Sequence, residues 1–204
     1  MSRIITISRE FASGGRELGK RLADALRIPC YDQQIIDMVA EKTKLNKDYV
    51  ASVSEKDIQL FYPTTISHGF SMPSYAIIQS AEIAHAQQEL IKTLASQGDC
   101  IIIGRAADAI LAEYKPFSIF VCSNDSSKIA RCRARARADE NYTDKQILRK
   151  CKSIDKQRRI YREMYASSKW GIASTFDLCI NTSGKEIKEL VPAVVSYLDV
   201  WFGK

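Results

Sequence analysis

Two rhythms of apolar residues alternate along the chain. Short runs rich in β-branched residues have the length of buried strands: Ser2–Ser8 (SRIITIS), Cys100–Ile103 (CIII), Phe117–Ser123 (FSIFVCS) and the FDLCINTS stretch. "IPCYD" reads as a shorter strand that delivers Asp32 to a strand end. Between these runs the spacing turns helical. Leu18, Leu22 and Leu26 predict a helix that closes at Arg27-Ile28-Pro29, Gln33–Lys44 predicts a second, and Asn46 is placed to cap a third running to about Lys56. Tyr75–Gln97 is the longest helical pattern, with Ile77, Ala81, Ala84, Ile91 and Leu94 on one stripe and Gly98 as the stop signal. A further helix follows Gly104-Arg105. Ser123–Ser126 supplies capping residues, and Thr143 with Gln146 forms a capping box, so two basic helices are predicted around a junction at Asp139–Tyr142. Ser183 with Glu186 reads as another box, opening a final helix through Leu190, Val194, Tyr197 and Trp201. Asp57–Ser74 has no clean period and reads as a loop or flap. Strands alternating with helices imply an α/β fold, parallel with both sheet faces covered.

Composition narrows this picture. With 204 residues and 46% hydrophobic content, the chain can bury a sizeable core as one domain. The amino terminus lacks the apolar stretch and cleavage site of a signal peptide, and no run approaches membrane-spanning length, so a soluble, cytoplasmic protein without a membrane partner is expected. The six cysteines show no C-x-x-C pair and read as reduced packing residues. The net charge of +6 is local: Lys128–Arg162 holds 13 Lys and Arg against 4 Asp and Glu, leaving −3 elsewhere. Such a block suits a clamp for a few phosphates as well as or better than a nucleic-acid face, which would be expected to interleave more aromatics than Tyr142 and Tyr161. A solvated helical face is the plain alternative.

The chemistry concentrates after the first strand. Gly14–Arg21 nearly fits G-x-x-x-x-G-K-[ST], but that register puts Gly19-Lys20 inside a helix whose stripe already holds Leu18 and Leu22, with Lys20 too far along to reach a phosphate. Counting from the strand end instead makes Arg9–Gly15 the loop. Gly14 and Gly15 then present bare amides at the helix entrance, Arg16 adds a charged fork, and Gly15 stands where a phosphate-loop lysine would. The plain alternative is a turn that needs glycine only for its φ angle.

The segments ITISREFASGGRELGKRLADAL, IPCYD, IIIGRAADAIL, DKQRRIY and KWGIASTFDLCINTS, in this order and spacing, resemble the cytidylate-kinase-like family, a divergent branch of P-loop nucleoside monophosphate kinases. The resemblance spans nearly the whole chain. It implies a three-layer α/β/α sandwich with a P-loop NTPase-like parallel sheet, one domain over residues 1–204 with a core of 1–127 and 163–204 and a helical basic lid of about 128–162. It implies transfer of the γ-phosphoryl group of ATP, with Mg2+, to a pyrimidine nucleoside monophosphate such as CMP or dCMP. By position it puts Ser13, Gly14, Gly15 and Arg16 on the donor phosphates, and Asp32 and Arg105 on the acceptor. Lys156, Arg158 and Arg159 fall on the lid, where arginines close over the transferring group and, with Arg16, act catalytically. A cluster of arginines on a closable element supplies the charge neutralisation that such transfer needs.

The departures are specific. Ile103 replaces the aspartate of the family's D-G-R segment, Gly15 the loop lysine, and Arg16 and Glu17 the hydroxyl pair, so the metal ligands are unassigned, with Ser8, Ser13, Asp32 and Asp108 as candidates. A catalytically weak nucleotide-binding regulator on the same fold is therefore the second reading. Arg105 has a surface pairing with Asp108 as its plain alternative. Phe61, Tyr62, Phe70 and Tyr75 either stack on a base or pin the flap, while His68 and His85 have no partner at catalytic spacing. Trp170-Gly171 reads as the anchor of the lid's return. Trp201 and Phe202 suit either a homodimer contact or core packing.

Overall fold

The structure, a computed structural model, describes residues 2–55, 75–136 and 140–203, with backbone alone at 52–55 and 75–78. The expected flap, with Phe61, Tyr62, Phe70 and His68, lies outside the described residues, as does the Tyr75 ring. Five strands, β1 (Ile4–Arg9), β2 (Cys30–Tyr31), β3 (Cys100–Ile103), β4 (Phe117–Cys122) and β5 (Leu178–Asn181), pair in parallel in the order β2-β3-β1-β4-β5. β1 is central, with Ile5 opposite both Ile101 and Phe117. Its β-branched run is buried on both faces, as a parallel sheet covered by helices requires.

The helices divide between those faces. α1 (Gly15–Leu26) and α8 (Ile187–Trp201) cover one, where Leu18, Leu22, Ile187, Val194 and Leu198 pack on Ile5, Ile7 and Ile103. On the other lie α2 (Gln34–Thr43), α3 (Lys47–Glu55), α4 (Tyr75–Ser96) and α5 (Ala107–Ile110), packed on Ile4, Cys100 and Ile102. This is the expected three-layer α/β/α arrangement. α1 ends where Arg27 turns left-handed and its N–H reaches Ala23 and Asp24, and Pro29 follows. Asn46 Oδ1 accepts from the N–H of Asp48, capping α3 as its sequence predicts.

The basic segment forms α6 (Asp125–Ala134) and α7 (Asp144–Glu163). Asn124 caps α6 and the Thr143–Gln146 box opens α7. Two expectations need correction. No box forms between Ser183 and Glu186: Ser183 Oγ donates to Asn181 Oδ1 at 2.6 Å and accepts from the N–H of Asn124 at 2.7 Å, tying β5 to the entrance of α6. Along α4, Ala81 is exposed, and the buried stripe runs through Ser80, Ile83, Gln87, Ile91 and Leu94. The slip arises because two polar residues belong to the buried face, Gln87 meeting the hydroxyl of Tyr161 on α7.

Among the described residues the cysteines are free. Burial pushes the Cys30, Cys100 and Cys151 thiols up to about 11, which keeps them protonated and inert. No helix among the described residues is long and apolar enough to cross a membrane.

Candidate functional site

Neighbouring strands β1 and β3 send their next helices, α1 and α5, to opposite faces of the sheet. Their carboxyl ends therefore open a crevice, the place where α/β sheets take ligands. The loop after β1 is held from beneath. Ser13 is fully buried; its hydroxyl donates to the Glu10 carbonyl at 2.8 Å and its carbonyl accepts from Thr182 Oγ1 at 2.6 Å. Arg131 on α6 donates to the carbonyls of Ala12, Thr182 and Lys185, so it braces the loop's outer side. Gly14 caps α1 with φ 83°, directly over Ile187, whose Cγ1 would lie 2.8 Å from any Cβ. Gly15 is the first helical residue. Gly19 is buried against Ile7 and Ile103, and Lys20 points to solvent in the helix's second turn, so the loop starts from the strand end.

The carboxylates around this loop all face cations. Asp32, after β2, takes Arg16 Nε at 2.6 Å and Arg9 at 3.8 Å. Glu10 pairs with Lys128 at 2.9 Å and accepts the N–H of Ser123. Asp108 on α5 pairs with Arg162 at 2.6 Å, both side chains 5% exposed, and Ser8 reaches it at 3.4 Å. Asp155 on α7 accepts the loop N–H of Phe11 at 2.6 Å and lies 3.7 Å from Arg158. Burial holds the Asp155 carboxyl above its ordinary value despite that N–H and the neighbouring cations.

Helix α7 lies over the crevice. Arg158 donates to the Arg9 carbonyl at 3.0 Å and covers the Phe11 ring, while Gln157, Tyr161 and Arg162 help to close a cavity of about 70 Å³ whose floor is Ser8, Arg9, Gly104 and Arg105. Arg105 and Ala106 adopt left-handed backbone, turning the chain sharply after β3 to place Arg105 on this cavity. Asp108 pairs with Arg162, so the alternative partner for Arg105 is taken by α7.

The structure thus brings Arg16, Asp32, Arg105 and Arg158 together beside the loop of Ser13, Gly14 and Gly15. Lys156 and Arg159 lie elsewhere on α7. They line a neighbouring cavity of about 420 Å³ with Glu10, Lys128 and Asp155. Helical geometry groups them, because Lys156 and Arg159 are three positions apart on one side of α7, while Arg158 shares its side with Tyr161 and Arg162. Trp170 packs edge-on against Phe120 at 5.1 Å, anchoring the return from α7.

Sequence reading missed Arg9 and the pins Asp155 and Arg162. Arg9 is the most perturbed cation of the site: burial, with Arg158 next, pushes its guanidinium down to about 9. The signal was a charged residue at the end of an apolar strand, immediately before the loop. Among the described residues no group of three or more His, Cys, Asp and Glu is placed to hold a metal. With Arg16 and Glu17 in place of hydroxyls and each nearby carboxylate committed to a cation, this donor set does not fit a protein-held Mg2+.

Among solved structures, an uncharacterized protein from Eubacterium ventriosum is 26% identical, with a TM-score of 0.69 over 97% of this chain and 98% of that one. The shikimate kinase of Bacteroides thetaiotaomicron, 12% identical, matches over 100% of both chains with a TM-score of 0.58. A sugar kinase from Janibacter sp., 10% identical, gives 0.52 over 98% and 96%. At these identities the two kinases speak for the fold alone. No curated protein matches the chain. The sequence profile of the cytidylate kinase-like family matches residues 4–184, from the first strand to the turn before α8, so the chain belongs to the cytidylate kinase-like family.

Proposed function

We propose that the protein is an ATP-dependent phosphotransferase whose acceptor is a pyrimidine nucleoside monophosphate, CMP or dCMP. The observation that carries this reading is the convergence of guanidinium groups from four separate elements on the crevice between β1 and β3: Arg9, Arg16, Arg105 and Arg158. Among the described residues two carboxylates, Asp32 and Asp155, stand against this group of guanidiniums, and a cluster of that sign suits a phosphate ligand. Phosphoryl transfer asks for alignment and neutralisation of charge more than for covalent help, and fixed arginines supply both. In this reading the amides of Gly14, Gly15 and Arg16 hold the donor phosphates at the positive end of α1. Arg105 takes the acceptor phosphate, Asp32 orients Arg16 toward the loop, and Arg158 neutralises the group in flight. Lys156 and Arg159 serve as outer cations that draw the nucleotide in. Mg2+ is the family's usual companion of ATP, but the roles here fall to the arginines.

A second reading, a nucleotide-binding regulator with weak or no turnover, is favoured by one contact. The Asp155 carboxylate already occupies the N–H of Phe11 in the loop, so α7 closes the site with an internal anion. One experiment separates the two. ATP, Mg2+ and each nucleoside monophosphate are incubated with the protein while ADP and diphosphate formation are followed, beside Arg105→Ala and Arg16→Ala. Turnover on a pyrimidine monophosphate, lost with Arg16→Ala and weakened at least tenfold in acceptor KM by Arg105→Ala, is expected. Nucleotide binding without turnover on any acceptor would transfer the protein to the regulatory reading, and unchanged acceptor kinetics in Arg105→Ala would remove that residue from the acceptor site.

A further inference from the structure

Arg9 enters this site from the end of the central strand. It is the last residue of β1, and its side chain, 13% exposed, runs between two glycines. At its root, a Cβ on Gly15 would lie 2.6 Å from Arg9 Cβ and 3.2 Å from its Cγ. At its tip, a Cβ on Gly104 would collide with Nη1 and lie 2.8 Å from Cζ. Approaches under 3.0 Å are ones that real Cβ atoms essentially never show, so the side chain of Arg9 and any side chain at position 15 exclude each other. Position 15 is where the loop's lysine would stand. The Gly15 contact is with Cβ and would arise with any side chain at position 9, whereas the bareness of Gly104 makes room for the guanidinium itself and gives that cation its end position beside Arg105.

Resting on the phosphotransferase reading above, we propose that Arg9 replaces the missing loop lysine, and that its guanidinium binds the oligophosphate chain of the donor nucleotide where the loop meets Gly104-Arg105. Three observations besides the glycines point to an anionic ligand. The guanidinium is held away from water, its nearest carboxylate, Asp32, is 3.8 Å off and shared with Arg16 at 2.6 Å, and Arg158, Arg105 and Arg16 all repel it. A cation held in that way is stabilised by a phosphate far more than a solvated one would be. Arg9 also lines the floor of the crevice cavity. A guanidinium offers a planar fork where lysine offers a point charge, and the fork can span two phosphate oxygens.

The test uses inorganic tripolyphosphate as the probe, with affinity measured by calorimetry at fixed ionic strength on the whole chain, alongside the ligand-free melting temperature. Arg9→Met is expected to bind tripolyphosphate roughly 10- to 100-fold more weakly, the loss of one or two charge-assisted hydrogen bonds, and to melt no lower than wild type without ligand. That pairing separates a ligand role from a structural one, because a buried cation among three others does not hold the free fold together. Should Arg9→Met fail to fold, Arg9→Lys keeps the charge but not the fork, and at least tenfold weaker binding is expected of it. Wild-type affinity in whichever of these variants folds overturns the assignment of Arg9 while leaving the kinase reading intact. A wild-type protein that binds neither tripolyphosphate nor ATP overturns both.

Discussion

Replacing Arg162 by methionine should cost more stability than removing its partner. Asp108 and Arg162 join α5 to α7 across the crevice at 2.6 Å, each side chain 5% exposed, so neither charge can turn to water when the other is lost. The partners left behind differ. Without Arg162, Asp108 keeps only the Ser8 hydroxyl at 3.4 Å. Without Asp108, Arg162 still donates to the Ser168 carbonyl at 2.7 Å and to Ser168 Oγ at 3.1 Å, and still covers the Phe176 ring. Stranding one charge of a buried pair costs about 3–5 kcal/mol. Arg162→Met should fall in the middle of that range, about 4 kcal/mol, and Asp108→Leu near or below its lower end, about 2–3 kcal/mol. The double variant should lose only about 1–2 kcal/mol, because it leaves no unpaired charge. Urea unfolding of the four proteins measures this directly, and for a chain of this size the Arg162→Met loss corresponds to a melting temperature lower by roughly 8–16 °C. Additive losses, with a coupling energy below about 0.5 kcal/mol, would show that the pair does not act as a unit and that α7 is held by something else.

Stability should also carry the mark of Arg9 at alkaline pH. Burial, with Arg158 next, pushes the Arg9 guanidinium down to about 9 in the folded chain, so as pH rises past that value the folded form should give up its proton before the unfolded form does. The unfolded state then binds more protons, so this residue's contribution makes the fold more stable as pH rises, by up to about 1.4 kcal/mol per pH unit. Chemical denaturation of wild type and Arg9→Met at pH 8 and pH 10 should show the difference moving toward wild type; a constant difference would mean that Arg9 stays charged throughout. In the central strand, Thr6 Oγ1 is a buried side-chain oxygen with no hydrogen-bond partner. Thr6→Val should therefore raise stability by about 1 kcal/mol, read as a higher urea midpoint with unchanged slope, and a lower midpoint would count against it.

Much of the fold is written locally in the chain. The β-branched run Ile4–Ser8, the Leu18–Leu22 stripe and the Thr143–Gln146 box specify their elements through neighbours a few residues away, and periods of 2 and 3.6 survive any tertiary arrangement. The register of the first loop was legible for the same reason: the leucine stripe fixes Gly19 and Lys20 inside α1, wherever the helix packs. Where a polar side chain satisfies a distant partner, local patterns mislead. Gln87 lies on the buried face of α4 because Tyr161 meets it, and Ser183 leaves its helix because Asn181 and Asn124 claim its hydroxyl.

The site's chemistry was only half contained in the sequence. A glycine pair after a strand, and arginines at the end of β3 and in a basic helix, mark where a phosphate can be held. Which of those arginines converge was decided by the strand order β2-β3-β1-β4-β5, which sets the ends of β1 and β3 side by side and lays α7 across them. That packing turns Arg158 inward and Lys156 and Arg159 to the next cavity, and commits Asp108 to Arg162 rather than Arg105. It also makes Arg9, an unremarked charge at a strand end, the buried cation of the crevice. Partners about 50 to 150 positions apart leave no periodic trace in the chain, so only the folded structure could bring them to one point.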